Sequence, residues 1–123
     1  DVTVRCDAFN RLYPCFLEQV LVSRGPLAAI YATSDGHTLL PTRLLPEVVS
    51  ANGCGDTLVG VAAAARTAHG ASMILAIKAG MRAAELSLKS QDAVSPQIDP
   101  TWLQTTLTEL QDRQQEEGAG RSE

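Results

Sequence analysis

Gly53, Cys54, Gly55 and Asp56 stand directly before an alanine-rich stretch, TLVGVAAAARTAH at 57–69. Glycines leave the backbone free to take conformations that side chains forbid, and they let a ligand come close to it. A helix beginning just after them turns the free amides of its first turn, and the positive end of its dipole, into the same space. Such a place stabilises a phosphate, or the negative charge that develops as a phosphoryl group is transferred. Asp56 would repel that anion, which makes sense if the carboxylate has its own task of taking the proton from an attacking hydroxyl. Amides would hold the phosphoryl group while Asp56 activates the acceptor. The same residues also fit an ordinary helix start with Asp as its cap, and on spacing alone that plainer reading carries more weight. The stretch lacks the GK[ST] ending of a Walker loop and the GxGxxG of a dinucleotide fold.

Little else in the chain offers chemistry. His37 falls in a turn region and His69 at a helix end, and both read as solvated, with His69 well placed against the negative helix terminus. Arg24 reads as facing solvent, and Lys78 with Arg82, at i and i+4, as an exposed polar stripe. Cys6, Cys15 and Cys54 are odd in number and lack CxxC or Cys/His ligand spacing. That argues against a disulfide framework and a zinc site, and for a reduced, cytoplasmic setting. The net charge is −4 at pH 7 and the 10 Lys and Arg residues are scattered, so no basic stripe offers itself to nucleic acid. No apolar run approaches the roughly 18 residues that span a bilayer, and no charged-then-apolar signal segment opens the chain. Nucleic acid and membrane are therefore not expected partners, and no set of metal ligands is expected.

The elements that must position the glycine turn follow from pattern. A chain of 123 residues, 45% apolar and 20% charged, suits one modest globular domain. Residues 1–18, interrupted by Pro14, read as loop. QVLVSRG from Gln19 reads as a buried strand closed by Gly25, and the two apolar runs around Asp35-Gly36 as a hairpin on a type I′ turn. Pro41 and Pro46 punctuate the next segment, and EVVS at 47–50 reads as a brief strand. Thr57 to His69 reads as a helix ended by Gly70. Ser72 caps a second helix reaching about Ser90, with Ile74, Ile77, Met81, Ala84 and Leu88 on its apolar face. Asp99 and Pro100 open a third, striped by Trp102, Leu103, Leu107 and Leu110. The order is that of the closing part of an α/β domain over residues 1–113, with a polar, frayed or disordered tail over 114–123. The chain does not begin with Met and reads as a piece of a longer one.

With its flanks, the glycine turn resembles a known family. SANGCGDTL at 50–58 resembles the second signature of the ribokinase-like, or PfkB, carbohydrate and nucleoside kinases, written D-T-x-G-A-G-D followed by Ser or Thr and an aromatic or aliphatic residue. VLVSRGPLAAIYA at 20–32 resembles the family's V-x-V-T-L-G-x-x-G-x-x-x-A strand and nucleotide-contacting turn. KAGMRAAELSLKSQDAVSP at 78–96 is similar to its next helix and the loop that closes over adenine. The resemblance implies the C-terminal portion of a three-layer α/β/α, Rossmann-like domain, with strands and a hairpin followed by three helices. It also implies an ATP-dependent kinase acting on a hydroxymethyl group of a sugar or nucleoside. Carried over by residue, it makes Asp56 the catalytic base and the amides of Gly53, Cys54 and Gly55 the anion hole for the γ-phosphoryl group. It sets Ser23 and Gly25 near the nucleotide phosphates and Met81, with neighbouring Gly80, against adenine. A magnesium ion would travel with the ATP rather than be held by ligands of this chain.

The departures are specific. Ser50 stands where the family usually has the Asp of a monovalent-cation site, which puts potassium activation in question. Cys54 replaces Ala at a position that contributes backbone, and Ala28 replaces a common Gly of the strand turn. The family's N-terminal Gly-Gly motif and sugar-binding lid have no counterpart in these residues. The resemblance thus implies the nucleotide side and the base without the substrate side, a fragment inactive alone, and is compatible with a homodimer of the full-length protein. Within the family, SANGCGDTLVG together with SLKSQDAVSP is most similar to the pseudouridine kinase branch. The competing reading is a non-catalytic nucleotide-binding fragment or degenerate interaction module.

Overall fold

The computed structural model describes residues 19–24, 27–43, 48–50, 53–92 and 94–121, the side chains to residue 117. The loop expected over 1–18, Gly25 and Pro46 lie outside the described residues. Two compact units divide the chain, residues 1–44 and 45–123.

The first unit holds an antiparallel sheet of β1 (Gln19–Arg24), β2 (Leu27–Thr33) and β3 (Gly36–Leu40), in that order. Successive residues of a strand point to opposite faces, and Ala29 and Ile30 are both buried, so both faces of the central strand are covered at its middle, while Leu27 at its start is exposed. Expected as a buried strand, β1 is instead half-buried or exposed at every position. It is an edge of the described sheet, paired only with β2, and an apolar run does not record how many neighbours a strand has. Its ladder slips between Val22 and Arg24, which leaves Ser23 at the irregularity, while the Arg24 Nε–H donates to the Ala28 carbonyl at 2.6 Å.

The hairpin forms where the sequence suggests, but its turn lies one residue earlier. Thr33 pairs with Gly36, so Ser34 and Asp35 make the loop and Gly36, at φ 140°, opens β3. No non-glycine residue among those described has positive φ, so Asp35 does not take a type I′ conformation. The Thr33 hydroxyl accepts from the Asp35 N–H at 3.2 Å, a local bond that stabilises the turn without left-handed backbone.

The second unit holds α1 (Cys54–Ala68), α2 (Met73–Leu88) and α3 (Pro100–Arg121). Gly70, at φ 61°, follows the α1 C-cap His69, as the sequence predicts. The Ser72 hydroxyl accepts from the Leu75 N–H at 3.3 Å, and Asp99 Oδ1 from the Trp102 N–H at 2.7 Å, so both later helices carry the expected caps. His37 and His69 are exposed, as read from the sequence.

Val48 to Ser50 form no strand; the N–H groups of Val49 and Ser50 donate to the Leu88 carbonyl, at 2.8 and 3.3 Å. An unsatisfied carbonyl at the end of α2 takes the backbone donors that a sheet would have used.

The core of this unit is built from small residues: Val61 and Ala65 of α1, Ala76, Ala79 and Ala83 of α2, and Leu103 and Leu110 of α3. On α2 the deeply buried positions are therefore Ala76, Ala79, Gly80, Ala83 and Ser87, joined by Ile77. Ile74, Met81, Ala84 and Leu88, expected to face the core, are half-buried instead. Close packing of α1 on α2 requires residues without bulk at the crossing, so size rather than hydropathy selects the inner face. Lys78 and Arg82 are half-buried rather than an exposed stripe, because no residue of α2 is fully exposed. The Trp102, Leu103, Leu107 and Leu110 stripe does pack into this core.

The segment expected to fray after residue 113 is helical as far as Arg121, with exposed side chains through Glu117. Its Gln and Glu residues are good helix formers that extend a helix already nucleated by packing. No helix of the described residues is long and apolar enough to cross a membrane.

Gly60 lies inside α1, is exposed, and would place a β-carbon in open space. Gly60→Ala is expected to raise stability by about 0.5–1 kcal/mol, the helix-propensity difference, read as a higher thermal midpoint.

Candidate functional site

The helix that the glycines introduce begins at Cys54, three residues before the expected Thr57. Its N-cap is Gly53, held at φ 80° and ψ 0°, a left-handed conformation that other residues adopt only under strain. Asp56 is therefore the third helical residue and not the cap, and no side chain caps this end. The first bond of the helix runs from the Thr57 N–H to the Gly53 carbonyl at 2.9 Å. The amides of Cys54, Gly55 and Asp56 come before it and have no acceptor within the helix.

Asp56 is exposed, and its carboxylate has no hydrogen-bond or ion-pair partner among the described residues. A carboxylate in the first turn is favoured by the helix dipole, so the fold tolerates it there unpaired. Gly55 is exposed as well, its φ is not left-handed, and a β-carbon built on it meets nothing within 4 Å. Neither backbone conformation nor packing among the described residues calls for glycine at that position. Cys54 is a half-buried free thiol and Thr57 is buried.

Gly80 is buried under the next stretch of α1. A β-carbon there would stand 2.6 Å from the Leu58 carbonyl oxygen. Its neighbour Met81 is half-buried, as is Ser50. The structure thus brings Gly53, Cys54, Gly55 and Asp56 into one turn, half-buried at the first two and exposed at the last two, and sets Gly80 against the helix that this turn begins. Ser23 is exposed on β1 of the other unit, and Gly25 lies outside the described residues.

Sequence reading missed the backbone geometry on either side of the turn, namely the close approach of the Leu58 carbonyl to Gly80 and the bonds from Val49 and Ser50 to the Leu88 carbonyl. The available signal was the small-residue spacing Ala76, Gly80, Ala83, Ser87 along α2. Among the described residues no three His, Cys, Asp or Glu side chains gather where they could hold a metal ion.

A family profile described as pfkB family carbohydrate kinase matches residues 5–100. No curated protein matches the sequence. Solved structures do match in fold. A ribokinase from Thermotoga maritima is 19% identical with a TM-score of 0.68, over 88% of this chain and 35% of that one. A putative ribokinase II from E. coli in complex with ATP and Mg2+ is 18% identical with a TM-score of 0.69, over 84% and 33%. An aminoimidazole riboside kinase from Salmonella enterica, complexed with aminoimidazole riboside and an ATP analogue, is 22% identical with a TM-score of 0.67, over 82% and 35%. The chain spans about a third of the length of these structures. Three strands followed by three helices are thus the expected α/β arrangement of a ribokinase-like portion.

Proposed function

The chain belongs to the pfkB family of carbohydrate kinases, and on that premise we propose that it carries the nucleotide side, anion hole and catalytic base of an enzyme that phosphorylates a sugar or nucleoside hydroxyl from ATP. The observation that carries this reading is the start of α1. There, amides without an acceptor within the helix, a glycine that no described neighbour calls for and an exposed carboxylate without a partner among the described residues share one turn.

In this reading the amides of Gly53, Cys54 and Gly55 hold the oxygens of the transferring phosphoryl group, at fixed positions that require no reorganisation as charge develops. Asp56 accepts the proton of the attacking hydroxyl. The turn fits a phosphate because it offers donors, the positive helix end and room left by the missing side chain of Gly55. Magnesium bound with ATP would neutralise charge on the phosphates. Ser23 and Gly25 belong near those phosphates and Met81, with Gly80, near adenine, by resemblance to the family. Ser50 in place of Asp speaks against a potassium site of the family's usual kind. The solved neighbours that carry ATP with Mg2+, or a riboside with an ATP analogue, support the choice of nucleotide and substrate class. Pseudouridine is the proposed substrate within that class, and the proposed setting is cytoplasmic. The chain alone lacks the substrate side and is expected to be inactive.

The test is ADP release by the full-length protein with Mg-ATP and a panel of ribose, pseudouridine and other nucleosides. Acceptor-dependent ADP formation with at least one of them is expected. ATP binding without ADP release across the panel would overturn the reading in favour of a non-catalytic module.

A further inference from the structure

We infer that Gly80 is a positioning residue for the turn that carries Asp56, because its missing side chain is what lets α1 seat on α2. The inference rests on the proposed function, in which that turn is the site of phosphoryl transfer. A β-carbon at Gly80 would lie 2.6 Å from the Leu58 carbonyl oxygen, 3.3 Å from its carbonyl carbon and 3.3 Å from Leu58 Cγ. The oxygen belongs to the backbone of α1, two residues beyond Asp56, and is held in the helix ladder, so it cannot swing aside as a side chain would. Gly80 has no left-handed φ, and alanine suits a helix interior better. Local structure therefore gives no reason for glycine there; the approach of α1 does.

A second hold lies about 12 Å further along α2, eight residues at the helical rise. The Leu88 carbonyl accepts from the N–H groups of Val49 and Ser50, the residues that lead into the glycine turn. α2 thus grips the chain ahead of the turn, at 49–50, and behind it, at Leu58. The amides of 53–55 and the Asp56 carboxylate hang between these two holds, so their placement is set by how deeply α1 sits.

With alanine at 80, α1 must lift by about 0.8 Å to bring the 2.6 Å approach to the 3.4 Å of ordinary contact. A misplacement of about 1 Å from a change remote from the chemistry costs up to ~100-fold in rate. For Gly80→Ala in the full-length protein, kcat per folded molecule at saturating ATP is expected to fall about 10- to 100-fold, beyond any change in the KM for ATP that a place near adenine brings. A raised KM for ATP at normal kcat would mean that Gly80 serves adenine binding alone, and a normal kcat with an unchanged KM would mean a purely structural role. Either result overturns the proposal. If Gly80→Ala does not fold, Val49→Pro weakens the other hold by deleting the shorter of its two hydrogen bonds at an exposed residue. A lowered kcat is expected there, and a normal one overturns the proposal. Amide hydrogen exchange separates this inference from the function it rests on. Should the wild-type protein transfer phosphate to no acceptor, the proposed function fails. Faster exchange in Gly80→Ala at Thr57–Gly60 than at Leu103–Leu110 would still support the positioning role, and a uniform change would overturn it.

Discussion

Asp56→Asn in the full-length protein is expected to lower kcat by about 10²- to 10⁴-fold, the contribution of a positioned general base. The substitution keeps shape and volume and removes the ability to take a proton. Because Asp56 is exposed and its carboxylate has no partner among the described residues, no packing or ion pair is lost with it. The structural cost is limited to a carboxylate leaving a helix N-terminus, about 0.3–1 kcal/mol. ATP should bind as well as before or more tightly, since a negative charge beside the phosphates has gone. Steady-state kinetics with saturating acceptor, alongside a thermal melt, distinguish the outcomes. A rate near wild type would remove Asp56 from the mechanism, and a large loss of melting temperature would make it a structural residue.

How much of this was legible in the sequence depended on how local the determining physics is. Caps are local: Ser72, Asp99 with Pro100, and Gly70 each act within a few residues, and each sits where the pattern puts it. The hairpin was legible for the same reason, although its turn moved by one residue because Thr33 supplied an acceptor that Asp-Gly preferences do not include. Burial is not local. The aliphatic run of β1 reads as interior, yet β1 lies at an edge of the described sheet. On α2 the larger apolar residues suggest the inner face, while the crossing with α1 selects Ala76, Ala79, Gly80 and Ala83.

The candidate site divides along the same line. That glycines before a helix free its amides follows from backbone geometry, and Gly53 does take left-handed φ. The start of α1 was placed too late because Cys54 and Gly55 are poor helix formers, and the structure winds them into the first turn regardless. That shift moves Asp56 from cap to third helical residue, which rules out capping as the role of the carboxylate and leaves it where the helix dipole favours an acidic residue. The Gly80 contact depends on how two helices meet, and a one-dimensional pattern offers only the spacing of small residues as a hint.

The same turn yields a result that separates the needs of the fold from the needs of a ligand. Gly55 and Gly60 both lie in α1, both are exposed, neither has left-handed φ, and a β-carbon on either meets nothing within 4 Å. Judged by the chain alone, alanine is an improvement at both positions, by up to about 1 kcal/mol through helix propensity, and somewhat less at Gly55 near the helix end. Gly55→Ala is nevertheless expected to lower kcat by about 10²- to 10³-fold, as when one donor of an oxyanion hole is lost, because the methyl group occupies the space in which the phosphoryl oxygens must approach the amides. Gly60→Ala should match or exceed its gain in melting temperature and leave kcat unchanged. A melt and a rate measured on the two variants of the full-length protein decide the matter. Equal activity in both would mean that nothing approaches Gly55, and the anion hole would be withdrawn. Stability rising as activity collapses, at Gly55 and not at Gly60, is the signature of a glycine kept for a molecule outside the chain.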